Sequence, residues 1–438
     1  MNIEENRILY LHVGFHKTAS SSIQLELYKR KESLKAHGYH YPHSWRFNHN
    51  FLYGMFCDEP QAFYENVMDG ISLEEIEDKY NSLKELYKQE VSSSLCKKYV
   101  LSAEDLSVLE TGGIERLKEF LYDEMEFSEV RIIVCLRSPI SFAVSDIQQS
   151  IKVGYDFSYD RYDSIYRKRL QGYIDVFGLE NISLFKFEDA VKCSKGPIEN
   201  FLIKIGADES LIKKFEGERI NESYSIDSIN AMKFINKHSP ISDGKSITEG
   251  RFSNDTNIFS KHQGEPFFLD EASVKTISCS AKEDTEWLRS TFGIDYSTQL
   301  SDLKGKEYVR ISSSFLEFVC EHFIDFSDLI KKYLVQYLVV QLEMSKDNQE
   351  INDIIDSFLV LTNNHYAQVS LFFFSETYEK LRDNGMAYTA DLFREGAFTL
   401  EKKGLLHEAL RLLLVAKIIR PDGEVINQRI RVLEERIL

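Results

Sequence analysis

The chain has no excess of basic residues: 53 Lys and Arg stand against 70 Asp and Glu, a formal net charge of −17. A duplex nucleic acid demands a basic stripe to neutralise its phosphates, and none is present, so no nucleic-acid partner is expected. No apolar stretch approaches the roughly 20 residues that span a bilayer. Residues Met1 to Arg7 are polar and acidic, and the apolar run after them is short. No secretory signal is read there, and a cytoplasmic location is expected. Cysteine is sparse, and Cys57, Cys96, Cys135, Cys193, Cys279 and Cys320 form neither C-x-x-C units nor a metal spacing. That pattern fits reduced, packed thiols rather than a disulfide framework. His37, His40, His43 and His49 crowd one region, but their spacing fits no helix face or zinc knuckle, and no metal is expected. The remaining composition, 43 % apolar and 28 % charged over 438 residues, is that of a globular chain long enough for two or three domains.

What is present begins at residue 8. Ile8-Leu9-Tyr10-Leu11-His12-Val13 reads as a buried parallel strand, Gly14 breaks it, and Phe15-His16-Lys17-Thr18-Ala19-Ser20-Ser21-Ser22 leads into a helical pattern at Ile23. Strand, tight loop with a lysine and helix N-terminus form an anion holder: backbone N–H groups and the helix dipole face the ligand, and the lysine adds a full charge. The hydroxyls of Thr18, Ser20, Ser21 and Ser22 add donors. The loop is not a Walker loop, because His16 precedes the lysine where glycine is required and only two residues separate Gly14 from Lys17. An ordinary helix cap would need one hydroxyl and no lysine.

Three further places carry candidate chemistry. His49 lies in a loop after the first helices, where a neutral imidazole could take a proton. Lys98-Tyr99-Val100-Leu101-Ser102 reads as a second strand with Glu104 just past its end, the position at which open α/β sheets hold ligands. Glu104 reads either as a base or as a first-turn carboxylate of the next helix. Val130 to Leu136 is a β-branched run ending in Arg137, with Pro139 opening a helix and Ser145 two turns along it. A guanidinium there suits a phosphate.

The pattern His12, Gly14, His16, Lys17, Thr18, Ser22, Ile23, Gln24, followed by Arg137 and Ser145, resembles bacterial PAPS-dependent sulfotransferases. In these, a loop of the form H-x-G-x-H-K-T-G-T-T-S-I-Q holds the 5′-phosphosulfate. Ala19 replaces the usual loop glycine, which is penalised if the loop needs positive φ there; Ser20 and Ser21 replace threonine. The resemblance covers about the first 300 residues. It implies a P-loop-like α/β domain with a central parallel sheet and transfer of a sulfuryl group from PAPS to a hydroxyl or amine, leaving PAP. Lys17 would neutralise the leaving group. His16, Lys17, Thr18, Ala19, Ser20, Ser21 and Ser22 would hold the 5′-phosphate, and Arg137 and Ser145 the 3′-phosphate. Glu104 or His49 would serve as base, no metal would be needed, and a carbohydrate is the expected acceptor. A late basic loop makes Arg251 a further candidate for the 3′-phosphate.

Beyond about residue 305 strand signals fade and Leu- and Phe-rich helical patterns dominate. Ala397, Gly404, Ala409, Ala416 and Pro421 match one tetratricopeptide-like unit, so residues 301–438 are expected to form an all-α, repeat-like domain after a 1–300 catalytic domain. Such a domain would bind a partner protein or a second copy. The alternatives are a nucleotide-dependent kinase or NTPase on a related fold, and a non-catalytic helical-repeat adaptor.

Overall fold

The apolar runs that end at Val13, Ala103 and Leu136 become the middle of a parallel sheet. In the computed structural model the described residues form five strands: β1 (Ile8–Val13), β2 (Tyr39–His40), β3 (Lys98–Ala103), β4 (Glu129–Leu136) and β5 (Ile182–Lys186). Their order is β2-β3-β1-β4-β5, and every pairing is parallel. The structure describes residues 6–155, 165–217, 223–242, 247–252, 254–297, 305–309, 311–322, 325–344 and 389–437.

Alternation along the strands feeds two cores. Leu9, Leu11 and Val13 join Leu101, Ile132 and Val134 under the helices Leu73–Ser93, Thr111–Glu119 and Tyr166–Phe177. Tyr10, Val100, Ile133 and Cys135 face the other way, against Ile23 and Leu27 of helix Ser20–Lys29 and Phe201 and Leu202 of helix Pro197–Lys204. Apolar residues on both faces explain why these strands read as continuous runs. From β1 the chain runs to the β3–β2 side, and from β4 to the β5 side. The two strands are neighbours, so their carboxyl ends flank a topological switch point, where such sheets open a crevice.

Tyr39 and His40 pair with Lys98 and Tyr99 as a two-residue edge strand. Gly70, with φ 64°, ends one short helix, and the next starts at a capping box between Ser72 and Glu75.

The chain forms two compact units that do not divide at one point. Residues Met1–Ala143, Asp160–Asn221 and Glu271–Lys304 make the sheet-bearing unit; Val144–Tyr159, Glu222–Asp270 and Gly305–Leu438 make the other. A single cut near residue 300 was expected. In the second unit, helix Ile226–His238 packs against Asp328–Met344, with the rings of Phe234 and Tyr337 5.5 Å apart. Arg251 belongs here and is a correction to its expected exposure toward a phosphate. Its side chain is fully buried, with Nε donating to Asp255 Oδ2 (2.5 Å), Nη2 to Asn236 Oδ1 (3.2 Å) and Nη1 to the Ser239 carbonyl. Lys245, in the same expected basic loop, lies outside the described residues. Helices Thr389–Lys402, Leu406–Ile419 and Glu424–Ile437 pack around Ala397, Ala409, Ala416, Leu413 and Leu433, and Gly404 turns the chain with φ 82°. The small residues do let helices approach, but one unit does not make a repeat, and residues 345–388 before it are outside the described set. Among the described residues no helix is long and apolar enough to cross a membrane, and no group of three His, Cys, Asp or Glu could hold a metal.

Candidate active site

The loop after β1 is held from below. The Gly14 amide donates to the Ala103 carbonyl (2.9 Å), and a Cβ on Gly14 would meet Ser20 Oγ at 2.5 Å and the Glu104 Cα at 3.1 Å. Only glycine lets β1 and β3 end this close together. The backbone then turns through two left-handed residues, Lys17 (φ 64°) and Ala19 (φ 65°). Ala19 therefore occupies the conformation that makes glycine the easier residue. Thr18 and Ser20 do not face outward: their hydroxyls donate to the Phe15 carbonyl at 2.6 and 3.3 Å and brace the loop. Ser21 is exposed and Ser22 half-buried.

Helix Ser20–Lys29 starts with no side-chain cap and no acidic residue in its first turn. Helix Leu73–Ser93 shows the contrast, since its Ser72–Glu75 box satisfies its own N-terminus. The uncapped N–H groups after the loop, with Lys17 half-buried beside them, remain suited to an oxyanion.

Arg137 stands at the end of β4, the other side of the switch point. Its Nε donates to Ser141 Oγ (2.6 Å), its Nη1 to the Lys17 carbonyl (2.9 Å), and its guanidinium lies 4.5 Å from the Phe187 ring centroid. The two cationic residues are thus joined through backbone. Burial pulls the Arg137 pKa down, opposed by the nearby Glu188 carboxylate, which accepts from the Ser138 amide (2.8 Å). Nη2 makes no hydrogen bond among the described residues, so the fork keeps a donor for a ligand. The hydroxyl that Arg137 reaches is that of Ser141, one turn into helix Pro139–Lys152; Ser145 follows a turn later, half-buried.

Glu104 sits past the end of β3, beside the loop. His16 Nδ1 is 3.0 Å from its Oε1, and its amide donates to Asn50 Oδ1 (2.8 Å). Glu104 and His16 are both part-exposed, and so can meet a solute. Asp105 follows, with burial pushing its carboxyl up to about 6.

His49 requires a correction. It is 0 % exposed, and burial drags its pKa down to about 4. Its Nδ1 accepts from the Ser102 amide (3.0 Å), and its Nε2 donates to the Pro42 carbonyl (2.8 Å). Its own amide donates to the Ser102 carbonyl (3.0 Å). β2 is too short to cover the outer edge of β3, and His49 completes that edge with backbone and imidazole together. No lone pair is left for an acceptor proton. Nearby, His40 Nε2 lies 3.2 Å from Glu90 Oε1, and the His43 amide donates to the same oxygen (3.0 Å).

Of the sites read from sequence, His16, Lys17, Ala19, Ser21, Ser22, Glu104 and Arg137 lie around the ends of β1, β3 and β4; His49, Ser145 and Arg251 are not in that group. Thr18 and Ser20 brace that group from behind. Asn50, Asp105 and Ser141 escaped the sequence reading. Ser141 had a signal, one helical turn after an arginine at a strand end; Asn50 and Asp105 had none beyond adjacency to His49 and Glu104.

No protein-family model matches the chain, and no curated protein matches it. Among solved structures it is similar to a sulfotransferase from Alicyclobacillus acidocaldarius, at 13 % identity and a TM-score of 0.33, over 66 % of this chain and 97 % of that one.

Proposed function

We propose that the protein is a sulfotransferase that moves a sulfuryl group from PAPS to a hydroxyl or amine of a carbohydrate. The observation that carries the reading is the joined pair of anion holders at the β1–β4 switch point: an uncapped helix start with Lys17, and Arg137 donating to the Lys17 carbonyl while keeping Nη2 available. A donor with two separated phosphate groups matches two such holders. PAPS, when bound, supplies an activated sulfuryl on a phosphate leaving group. On this reading the helix amides, Ser21 and Ser22 bind the 5′-phosphate and Lys17 neutralises the charge that develops on the leaving oxygen. Arg137 takes the 3′-phosphate through Nη2. Glu104 removes the acceptor proton, with His16 fixing its carboxylate; His49 has no part in the chemistry. Positioning and charge neutralisation then carry the rate, as in phosphoryl transfer.

Transfer from radiolabelled PAPS by the full-length protein tests this, with Lys17→Ala expected to fall about a hundredfold or more. Near wild-type transfer by that variant would sink the assignment. A thermal-shift series separates the alternatives: PAP should raise the melting temperature and ATP should not. A kinase would respond to ATP, and an adaptor to neither.

A further inference from the structure

We infer that the second unit carries a nucleophile of its own: Ser314, with His262 as its base, a pair able to take the acyl group of a simple carboxylic ester. The inference uses none of the residues of the proposed sulfotransferase site and stands or falls apart from that reading.

A directional chain of hydrogen bonds within this unit sets the roles. The Ser228 hydroxyl donates to the Phe259 carbonyl (3.0 Å), which can only accept. The proton shared between Ser225 Oγ and Ser228 Oγ (2.9 Å) therefore comes from Ser225. With its one proton spent, Ser225 Oγ accepts from His262 Nδ1 (2.6 Å). A neutral imidazole with its proton on Nδ1 keeps a lone pair on Nε2, and that nitrogen lies 3.2 Å from Ser314 Oγ. On the other side Ser312 Oγ donates to Asp227 Oδ2 (2.6 Å), so it too can only accept across its 3.0 Å contact with Ser314 Oγ. Ser314 thus has two acceptors for its proton and, among the described residues, no donor to its oxygen. It is exposed, so that oxygen can meet a solute.

The base is kept neutral and dry. His262 is 6 % exposed, and the rings of Phe315 and Phe318 stand 5.1 and 5.5 Å from its own. Burial lowers its pKa against the opposing charge of Asp227. Capping of helix Ser313–His322 falls to Ser312, whose Oγ accepts the Phe315 amide (3.2 Å), which leaves Ser314 without that duty. Ser314 is the second residue of the helix, so charge forming on a carbonyl oxygen beside its Oγ would lie at the positive end of the helix dipole. A nucleophile within reach of a base that is itself oriented by a third group is the arrangement acyl transfer requires. In the reaction Ser314 Oγ attacks the ester carbonyl carbon and its proton passes to His262 Nε2. The C–O bond to the alcohol breaks, and the alcohol leaves with that proton. Water then attacks the acyl-serine, its proton goes to Nε2 and on to Ser314, and the carboxylic acid is released.

The test uses the full-length protein, a fluorophosphonate probe and p-nitrophenyl acetate. The probe should attach to Ser314, located by peptide mass, in the native protein and not after denaturation in urea. The ester should be hydrolysed, and Ser314→Ala and His262→Gln should each lower kcat/KM by about a hundredfold. Because Ser314 is exposed, Ser314→Ala should melt with the wild type, and it decides the matter alone if His262→Gln unfolds. Absence of label, label on another residue, absence of hydrolysis, or hydrolysis by Ser314→Ala at the wild-type rate overturns the inference. The hydrogen-bonded chain would then be only a tie between helix Ser313–His322 and the segments of Ser225 and His262.

Discussion

Replacing Ala19 with glycine should make the protein more stable, the reverse of what glycine does at most positions. Ala19 is held at φ 65° and ψ 24°, in the left-handed region, immediately before helix Ser20–Lys29. An L-residue there is disfavoured by about 1–2 kcal/mol, which glycine escapes. Glycine returns about 0.4–1 kcal/mol of that through the greater freedom of its unfolded chain. The net gain is about 0.5–1 kcal/mol, equivalent to about 1–4 °C in a unit of this size. The assay is selective, because both tryptophans of the chain, Trp45 and Trp287, lie in the sheet-bearing unit, so fluorescence excited selectively in tryptophan reports on that unit. Ala19→Val, β-branched, should melt lower than the wild type. A melting temperature for Ala19→Gly at or below the wild-type value would refute the argument that Ala19 is strained.

Gly14→Ala should destabilise by about 1–3 kcal/mol, because its Cβ meets the Glu104 backbone, which no rotamer change relieves; denaturant titration checks this. Arg137→Ala should weaken PAP, by calorimetry, far more than adenosine 5′-phosphosulfate, which lacks the 3′-phosphate; equal losses would make Arg137 purely a brace for the Lys17 carbonyl. His49→Ala should cost about 2–4 kcal/mol by stranding the Ser102 amide and the Pro42 carbonyl, without moving the pKa values seen in a pH–rate profile. Acid should weaken the fold in two stages. His12 and His49 are held neutral by burial, with pKa values lowered to about 4, so the unfolded chain binds protons that the folded one refuses, and stability falls from about pH 6.5 toward 4, by a few kcal/mol for each histidine. Burial alone would raise the Glu90 pKa, but bonds from His40, Ser44 and the His43 amide hold it near 2, so its contribution is lost lower, as pH falls from about 4.5. Urea midpoints that stay flat between pH 7 and 4.5 would contradict the first stage.

The half of the site that could be read in the sequence is the half built from contiguous chain. Gly14 to Ser22 is one strand, loop and helix, and Val130 to Ser145 another, so residue type and spacing alone placed Lys17 and Arg137 at strand ends. The sheet's middle was legible for the same reason. Ser141 and Ser145 lie on one helix face, and only the distance from Arg137 separates them. The position of Glu104 followed from its strand, but its partners Asn50 and His16 come from segments far apart in the chain. His49 shows the limit most clearly. A loop histidine looks the same in sequence whether its nitrogens face a substrate or the backbone of Ser102 and Pro42, and the shortness of β2 decides between them.

The interleaving of the two units has a consequence for how the protein is made. The five described strands have left the ribosome once residue 186 has emerged, yet the sheet-bearing unit still lacks helix Lys282–Phe292. Asp284 on helix Lys282–Phe292 accepts the amides of Tyr166 and Arg167 at 2.7 and 2.8 Å, and Tyr296 fills the same core. Between those two moments the nascent chain delivers residues 222–270, whose helix Ile226–His238 packs on Asp328–Met344, a segment not yet synthesised. Apolar surface from both units is therefore exposed at once on the growing chain. Translation speed across residues 190–340, or a chaperone that shields Ile229, Met232 and Ile235 during that interval, sets how much of the protein escapes aggregation.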